Sequence, residues 1–194
     1  MSRPIQIVEV GPRDGLQNEA IALSIEQRLE FIHRLEAAGA RRLETVSFVN
    51  PRRVPQMAGA EEISAALPAR QDRSRIGLVL NERGFDRCLE AGCDEANIVV
   101  CASDAFGIRN QAANVAEQVA AMQAMLARRP RAGGPKVSAT ISVAFGCPFE
   151  GEVPVERVMQ IVRAADAAGV DEVALADTIG VADPWMVQIG RAHV

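Results

Sequence analysis

The stretch Val8-Glu9-Val10-Gly11-Pro12-Arg13-Asp14-Gly15-Leu16-Gln17-Asn18-Glu19 decides how this chain is read. An apolar run, Ile5 to Val10, stops at Gly11-Pro12. Arg13 and Asp14 follow side by side, and then Gly15. An apolar strand, a sharp stop and paired charges describe the C-terminal mouth of a buried strand that holds a site. An arginine beside an aspartate also occurs on ordinary protein surfaces as an ion pair of little consequence, so composition alone leaves both readings standing.

Outward from this stretch, strand and helix patterns alternate. Ile5 to Val10 reads as strand one. Ser24-Ile25-Glu26-Gln27 spells a capping box. Ile25, Leu29, Ile32 and Leu35 then recur at helical spacing, and Gly39 ends the helix. Arg42 to Phe48 reads as strand two, followed by a loop at Pro51 and Pro55 and a short helix from Glu61 to Leu67. Ile76 to Leu80 is strand three, with Asn81 capping a helix that stops at Gly92. Ala96 to Cys101 is strand four. A loop from Ala102 to Arg109 leads into an alanine-rich helix from Ala112 to Arg129. Pro130 to Pro135 is a loop inside one domain spanning residues 1–194. Val137 to Ala144 is strand five. The next helix has Pro154 as its first residue and ends at Gly169. Val173 to Ala176 is strand six, and Pro184 to Ala192 begins helix six.

Three helix ends share a spelling: Leu35-Glu-Ala-Ala-Gly39, Leu89-Glu-Ala-Gly92 and Ala165-Asp-Ala-Ala-Gly169. No fixed period links them, so they are the joints of successive βα units and not a solenoid. Six such units suit an open doubly wound sheet or part of an eight-fold barrel. The turn after strand one carries no Gly-x-Gly-x-x-Gly, which speaks against a dinucleotide-binding sheet.

The 194 residues are 48% hydrophobic and 24% charged, enough for one sizeable core. No apolar run is long enough to span a bilayer, and the first residues lack a signal-peptide core, so the expected compartment is the cytoplasm and no membrane partner is expected. A net charge of −4 and a pI near 5.3 argue against a nucleic-acid partner. Cys88, Cys93, Cys101 and Cys147 have no Cys-x-x-Cys or zinc spacing and read as reduced thiols.

In a parallel barrel, chemistry gathers where strands end. Those ends give Arg13, Asp14 and Gln17 after strand one, Glu44 in strand two and Asn81 after strand three. Ser103, Asp104 and Asn110 follow strand four, Gly146-Cys147-Pro148 strand five, and Asp177-Thr178 strand six. Asp14 is either the partner of Arg13 or a ligand for a hard cation. Strand alternation puts Glu44, Val46 and Phe48 on one face, which places Glu44 inside the mouth with Arg13 as its natural partner. Asp177 caps a turn or serves a site. Asn110 caps a helix or serves a site. Gln17 steadies the first loop or the Arg13 side chain. His33 and His193 read as structural or solvent-facing.

The long string at residues 8–19, Phe145-Gly-Cys-Pro-Phe-Glu-Gly151 and Asp177-Thr-Ile-Gly180 closely resemble the hydroxymethylglutaryl-CoA lyases, within the metal-dependent barrel lyases and Claisen-type synthases. The resemblance runs from Ile5 to about Pro184. It implies a TIM (β/α)8-type barrel, incomplete here with about six βα units present. It implies a lyase that cleaves 3-hydroxy-3-methylglutaryl-CoA to acetyl-CoA and acetoacetate with a divalent metal, Mg2+ or Mn2+. On the matching positions, Asp14 binds the metal and Arg13 and Glu44 are catalytic. Arg13, Asn110 and Asp177 line the acyl-CoA substrate, and Gln17 stands behind them. The family's His-x-His pair, its later cysteine loop and a later asparagine ligand have no counterpart in these residues. The chain therefore reads as C-terminally truncated, with weak or no turnover. Two open barrel edges could pair with another chain, a homodimer in the simplest case. The alternatives are a citramalate-like Claisen synthase, or a barrel fragment without catalysis. Cys147 falls in the segment after strand five, not in the family's catalytic cysteine loop, and reads as part of a turn.

Overall fold

The computed structural model describes residues 5–68 and 70–192; His193 lies outside them. Among the described residues, five strands and seven α-helices alternate along the chain. In chain order they are α1 (Ile25–Ala37), β1 (Arg42–Ser47), α2 (Ala60–Ala66), β2 (Ser74–Val79), α3 (Glu82–Glu90) and β3 (Glu95–Cys101). There follow α4 (Asp104–Gln111), α5 (Val115–Ala127), β4 (Lys136–Ser142), α6 (Val155–Ala168), β5 (Glu172–Leu175) and α7 (Pro184–Ala192). The strands make one parallel sheet in the order β1-β2-β3-β4-β5. No helix among the described residues is long and apolar enough to cross a membrane.

The chain divides into two compact units, residues 1–79 with 83–96, and residues 80–82 with 97–194. In the first, α1 opens on the Ser24–Gln27 capping box read from the sequence. Its buried face includes Ile32, and the core around it includes Leu43, Ile63, Ile76 and Phe85. Two ion pairs are sealed into this unit. Arg42 forks onto Glu95 at 3.0 and 2.6 Å, and Arg75 forks onto Glu36 at 3.1 and 2.8 Å. In the second unit, α5 opens on a capping box between Asn114 and Glu117. Gly169, at φ +88°, ends α6 in the left-handed turn that glycine adopts without strain. The core there includes Ile98, Met122, Met125, Ile141 and Ile161.

Four expectations are corrected. Ile5 to Val10 does not form a strand. Only Glu9 pairs, in a single parallel bridge to Leu43, and Ile5 and Ile7 are 93% and 79% exposed. Held by one short ladder and burying little, the run gains nothing that would fix it as a strand. Second, the segment 102–109 is not a loop. Ser103 accepts the Phe106 N–H at 3.2 Å and starts α4 there. The following helix then begins at Val115, because Ala112 sits in a left-handed turn at φ +58°. Third, Asn110 caps no helix; it lies in the last turn of α4.

The fourth concerns β1. Its register with β2 pairs Glu44 with Ile76 and Val46 with Gly77, leaving Thr45 as an extra residue. Such a bulge shifts the alternation by one. Glu44 therefore shares a face with Ile76, whereas Val46 shares the opposite face with Gly77. Phe48 packs on the Gly77 side as well, beside Cys88 of α3. Glu44, Val46 and Phe48 do not line one face.

Candidate active site

In the first unit, the chain after Val10 folds into a tight helical turn, Gly11–Gly15, with Pro12 buried. The N–H groups of Asp14 and Gly15 both point at the Val10 carbonyl, at 2.7 and 3.4 Å. Proline at the start of the turn suits a position whose N–H has no helical partner. Gly11 N–H donates to Glu9 Oε1 at 2.7 Å, which fixes the entry to the turn.

This turn swings the Arg13 side chain onto β1. Its Nε donates to Glu44 Oε1, and its Nη1 donates to Asp14 Oδ1 at 2.8 Å. The side chains differ sharply in exposure: 3% for Glu44, 14% for Arg13 and 55% for Asp14. The triad therefore grades from a buried carboxylate, through a mostly covered guanidinium, to a carboxylate at the surface. A charge buried as deeply as Glu44 needs a cation against it, and Arg13 supplies one. Charge-assisted bonds to two carboxylates hold the guanidinium plane in one orientation. Gln17 is partly buried and makes no hydrogen bond to Arg13. Asn18 instead ties the turn, donating to the Asp14 carbonyl at 3.1 Å.

In the second unit, Asp177 follows β5. Its two oxygens accept the N–H groups of Val181 and Ala182, at 3.0 and 2.9 Å. Its geometry is that of a turn-capping aspartate. Thr178 beside it accepts the Val143 N–H at 2.7 Å, and Val143 is held at φ +51°, an uncommon conformation for a β-branched residue. Asn110 and Gln111 reach the thiol of Cys101 at the end of β3. Burial pushes the Cys101 pKa up, and the hydrogen bonds from its neighbours act the other way. Cys147 exchanges two backbone hydrogen bonds with Gly151, at 2.8 and 2.9 Å, so it belongs to a turn. Its sulfur also lies 3.0 Å from Ser103 Oγ.

Arg13, Asp14 and Glu44 thus come together in the first unit, and Asn110 and Asp177 belong to the second. Cys101 was read from the sequence only as a reduced thiol, not as a hydrogen-bonded strand end. It is the last residue of its strand and could have been found by the same strand-end reading that gave Ser103. A hard divalent ion asks for about six donors around it. Among the described residues no group of three or more His, Cys, Asp or Glu side chains is placed to hold one. Asp14 contributes a single carboxylate already engaged by Arg13, so the described residues do not by themselves fit the ion.

Fold and site together define a parallel α/β chain of the TIM-barrel type, with an arginine fixed between carboxylates where its first segment ends. The chain belongs to the HMGL-like family, which it matches over residues 4–189. It is 38% identical to the hydroxymethylglutaryl-CoA lyase of Pseudomonas mevalonii over 93% of this chain and 60% of that protein. It is 42% identical to the (R)-citramalyl-CoA lyase of Chloroflexus aurantiacus over 94% of this chain and 61% of that protein. A solved HMG-CoA lyase from Acinetobacter baumannii, in complex with coenzyme A and 3-methylmalate, superposes with a TM-score of 0.92 at 31% identity. That match covers 97% of this chain and 61% of the solved one. The chain spans about 60% of the length of the curated relatives it matches.

Proposed function

We propose that the protein is a carbon–carbon lyase for 3-hydroxyacyl-CoA thioesters, with 3-hydroxy-3-methylglutaryl-CoA as substrate and acetyl-CoA and acetoacetate as products. The observation that carries this reading is Arg13 pinned between the buried Glu44 and the surface Asp14. In a retro-Claisen cleavage, a base takes the proton of the C3 hydroxyl. The C2–C3 bond breaks, C3 becomes a ketone, and its electron pair passes into a thioester enolate that is protonated at C2. Negative charge grows on the thioester oxygen during that step. A guanidinium whose orientation is already set needs no reorganisation to meet it, and one such donor is typically worth about 3–4 kcal/mol. Glu44 sets that orientation or takes part in proton transfer. Asp14 contributes one ligand to a divalent cation, Mg2+ or Mn2+, only if further ligands come from outside the described residues; no step here depends on that ion. The family resemblance assigns Asn110 and Asp177 to substrate binding and Gln17 to a supporting place behind them.

A second reading is citramalyl-CoA cleavage, favoured by the 42% identity to a citramalyl-CoA lyase. The same bond type breaks, and the departing ketone is then a 2-oxo acid.

The test is a side-by-side assay of the protein, in the length its coding sequence specifies, on both thioesters. Acetoacetate from the first substrate supports the primary reading. Pyruvate from citramalyl-CoA alone replaces it with the second, and turnover of neither overturns both. Arg13→Gln is expected to lower kcat by about 10²–10³-fold with KM less affected, as for loss of one donor to an oxyanion. The 194 residues assayed by themselves are expected to turn over little.

A further inference from the structure

The C-terminal end of α3 places two cysteines together in a way that the acyl-CoA reading does not use. Cys93 N–H donates to the Cys88 carbonyl at 3.4 Å, and Gly92 N–H donates to that of Leu89 at 3.1 Å. Gly92 is left-handed at φ +69°. These paired bonds are a Schellman motif, a helix ending that brings the side chains at its two outer positions into contact. Both of those positions are cysteine here. Across from them β2 offers Gly77. A Cβ at that residue would lie 3.0 Å from Cys88 Sγ and 3.1 Å from Cys93 Sγ, so both sulfurs converge on one spot. Cys88 is buried, whereas Cys93 is partly exposed. Cys93 also lines a small cavity of about 20 Å³ with Thr45, Ser64 and Arg75 among its walls.

We propose that Cys88 and Cys93 form a reversible dithiol–disulfide pair that responds to peroxide, Cys93 attacking and Cys88 closing the bridge. The two thiols are electrically unlike. The hydrogen bond from Cys88 and a weaker contact to Ser64 Oγ, at 3.9 Å, hold the Cys93 pKa below the ordinary thiol value. That same bond, together with burial, drives the Cys88 pKa up, so Cys88 keeps its proton. The Cys93 thiolate attacks one peroxide oxygen, the O–O bond breaks, and hydroxide leaves with a sulfenic acid formed at Cys93. The Cys88 sulfur then attacks the Cys93 sulfur. The S–S bond forms, and the sulfenic hydroxyl departs as water with the Cys88 proton. Two thiols are oxidised and one peroxide is reduced. A thiol reductant reverses the change. The bridge joins the last turn of α3 to the residues that lead into β3, where Glu95 holds Arg42. The proposal stands independently of the lyase reading.

The test treats the purified chain with one equivalent of hydrogen peroxide and cleaves it after glutamate. Glu90 lies between the two cysteines, so their peptides stay joined only through a disulfide. The expected result is a joined pair of peptides, lighter by two hydrogens than the sum of the free ones and separated by dithiothreitol. In the Cys88→Ser variant Cys93 is expected to be captured as a dimedone adduct. In untreated protein iodoacetamide is expected to label Cys93 roughly tenfold faster than Cys101 or Cys147. Separate peptides after peroxide, a bridge to Cys101 instead, or equal labelling rates would each overturn the proposal. The first and last readouts use the unaltered protein and do not depend on a variant folding.

Discussion

At position 77 a hydrogen in place of a methyl group sets how close Phe48 and α3 come to β2. A Cβ there would lie 2.6 Å from a Phe48 ring carbon, besides the two sulfurs. Phe48 and Cys88 cannot retreat freely, since both are buried. Gly77→Ala is therefore expected to destabilise the chain by about 1–3 kcal/mol, read from the midpoint of urea unfolding. A midpoint unchanged within error would show that the packing around β2 yields more easily than described. The same scale shows what a sequence reveals of a site. Arg13 and Glu44 were legible as partners because a buried carboxylate in an apolar strand calls for a cation, and the turn after Val10 offered one. The grouping of Glu44 with Val46 and Phe48 was not legible rightly. Alternation assumes an unbroken ladder, and nothing in Leu43-Glu44-Thr45-Val46 announces an extra residue.

Among the elements, α5 is the clearest case of a helix whose start is written locally. Asn114 Oδ1 accepts the Glu117 N–H at 2.9 Å, and Glu117 returns a bond to the Asn114 N–H at 2.8 Å. Asn114→Ala is expected to cost about 1 kcal/mol, with the slope of the denaturation curve unchanged. The loss spreads beyond the cap, because Gln118 in the same first turn accepts the backbone N–H of Cys101 at 2.8 Å. The spelling Asn-x-x-Glu was present in the sequence, yet the alanine-rich run drew the helix start too early. The short α4 was hidden for a related reason: Ser103 and Asp104 make a good start, but Gly107 in the middle weakens the helical pattern. Buried strands fared better, because β-branched runs between glycine-capped helix ends leave few other readings. The failure at Ile5 to Val10 marks the limit of that rule, since an apolar run says nothing about whether neighbours exist to bury it.

For the molecule as a whole, Glu36 is a buried carboxylate on which acid stability depends. Burial raises its pKa. The hydrogen bonds and charge of Arg75, with smaller help from His33 and Arg73, outweigh that and leave it below the ordinary value of 4.5. A carboxylate with a depressed folded pKa adds stability that is present above the unfolded value and is lost as pH falls through the folded one. The chain is thus expected to lose stability progressively once the pH drops below 4.5. Glu36→Gln leaves the buried Arg75 without its counter-charge and is expected to cost about 3–5 kcal/mol at neutral pH. Its stability should then change less between neutral and acid solution than that of the unaltered chain. Thermal melts across that range check both; parallel curves would assign the acid sensitivity to other carboxylates.

The irregularity in β1 has a wider consequence. Removing Thr45 would restore an even pleat downstream of Glu44 without touching Glu44 itself. Val46 would stay opposite Gly77 and Ser47 opposite Leu78, so every side chain downstream would keep the face it has now. The deletion would take out only the bend and added twist between Glu44 and Val46, so the lining of the strand would survive while the angle at which the acid meets Arg13 would change.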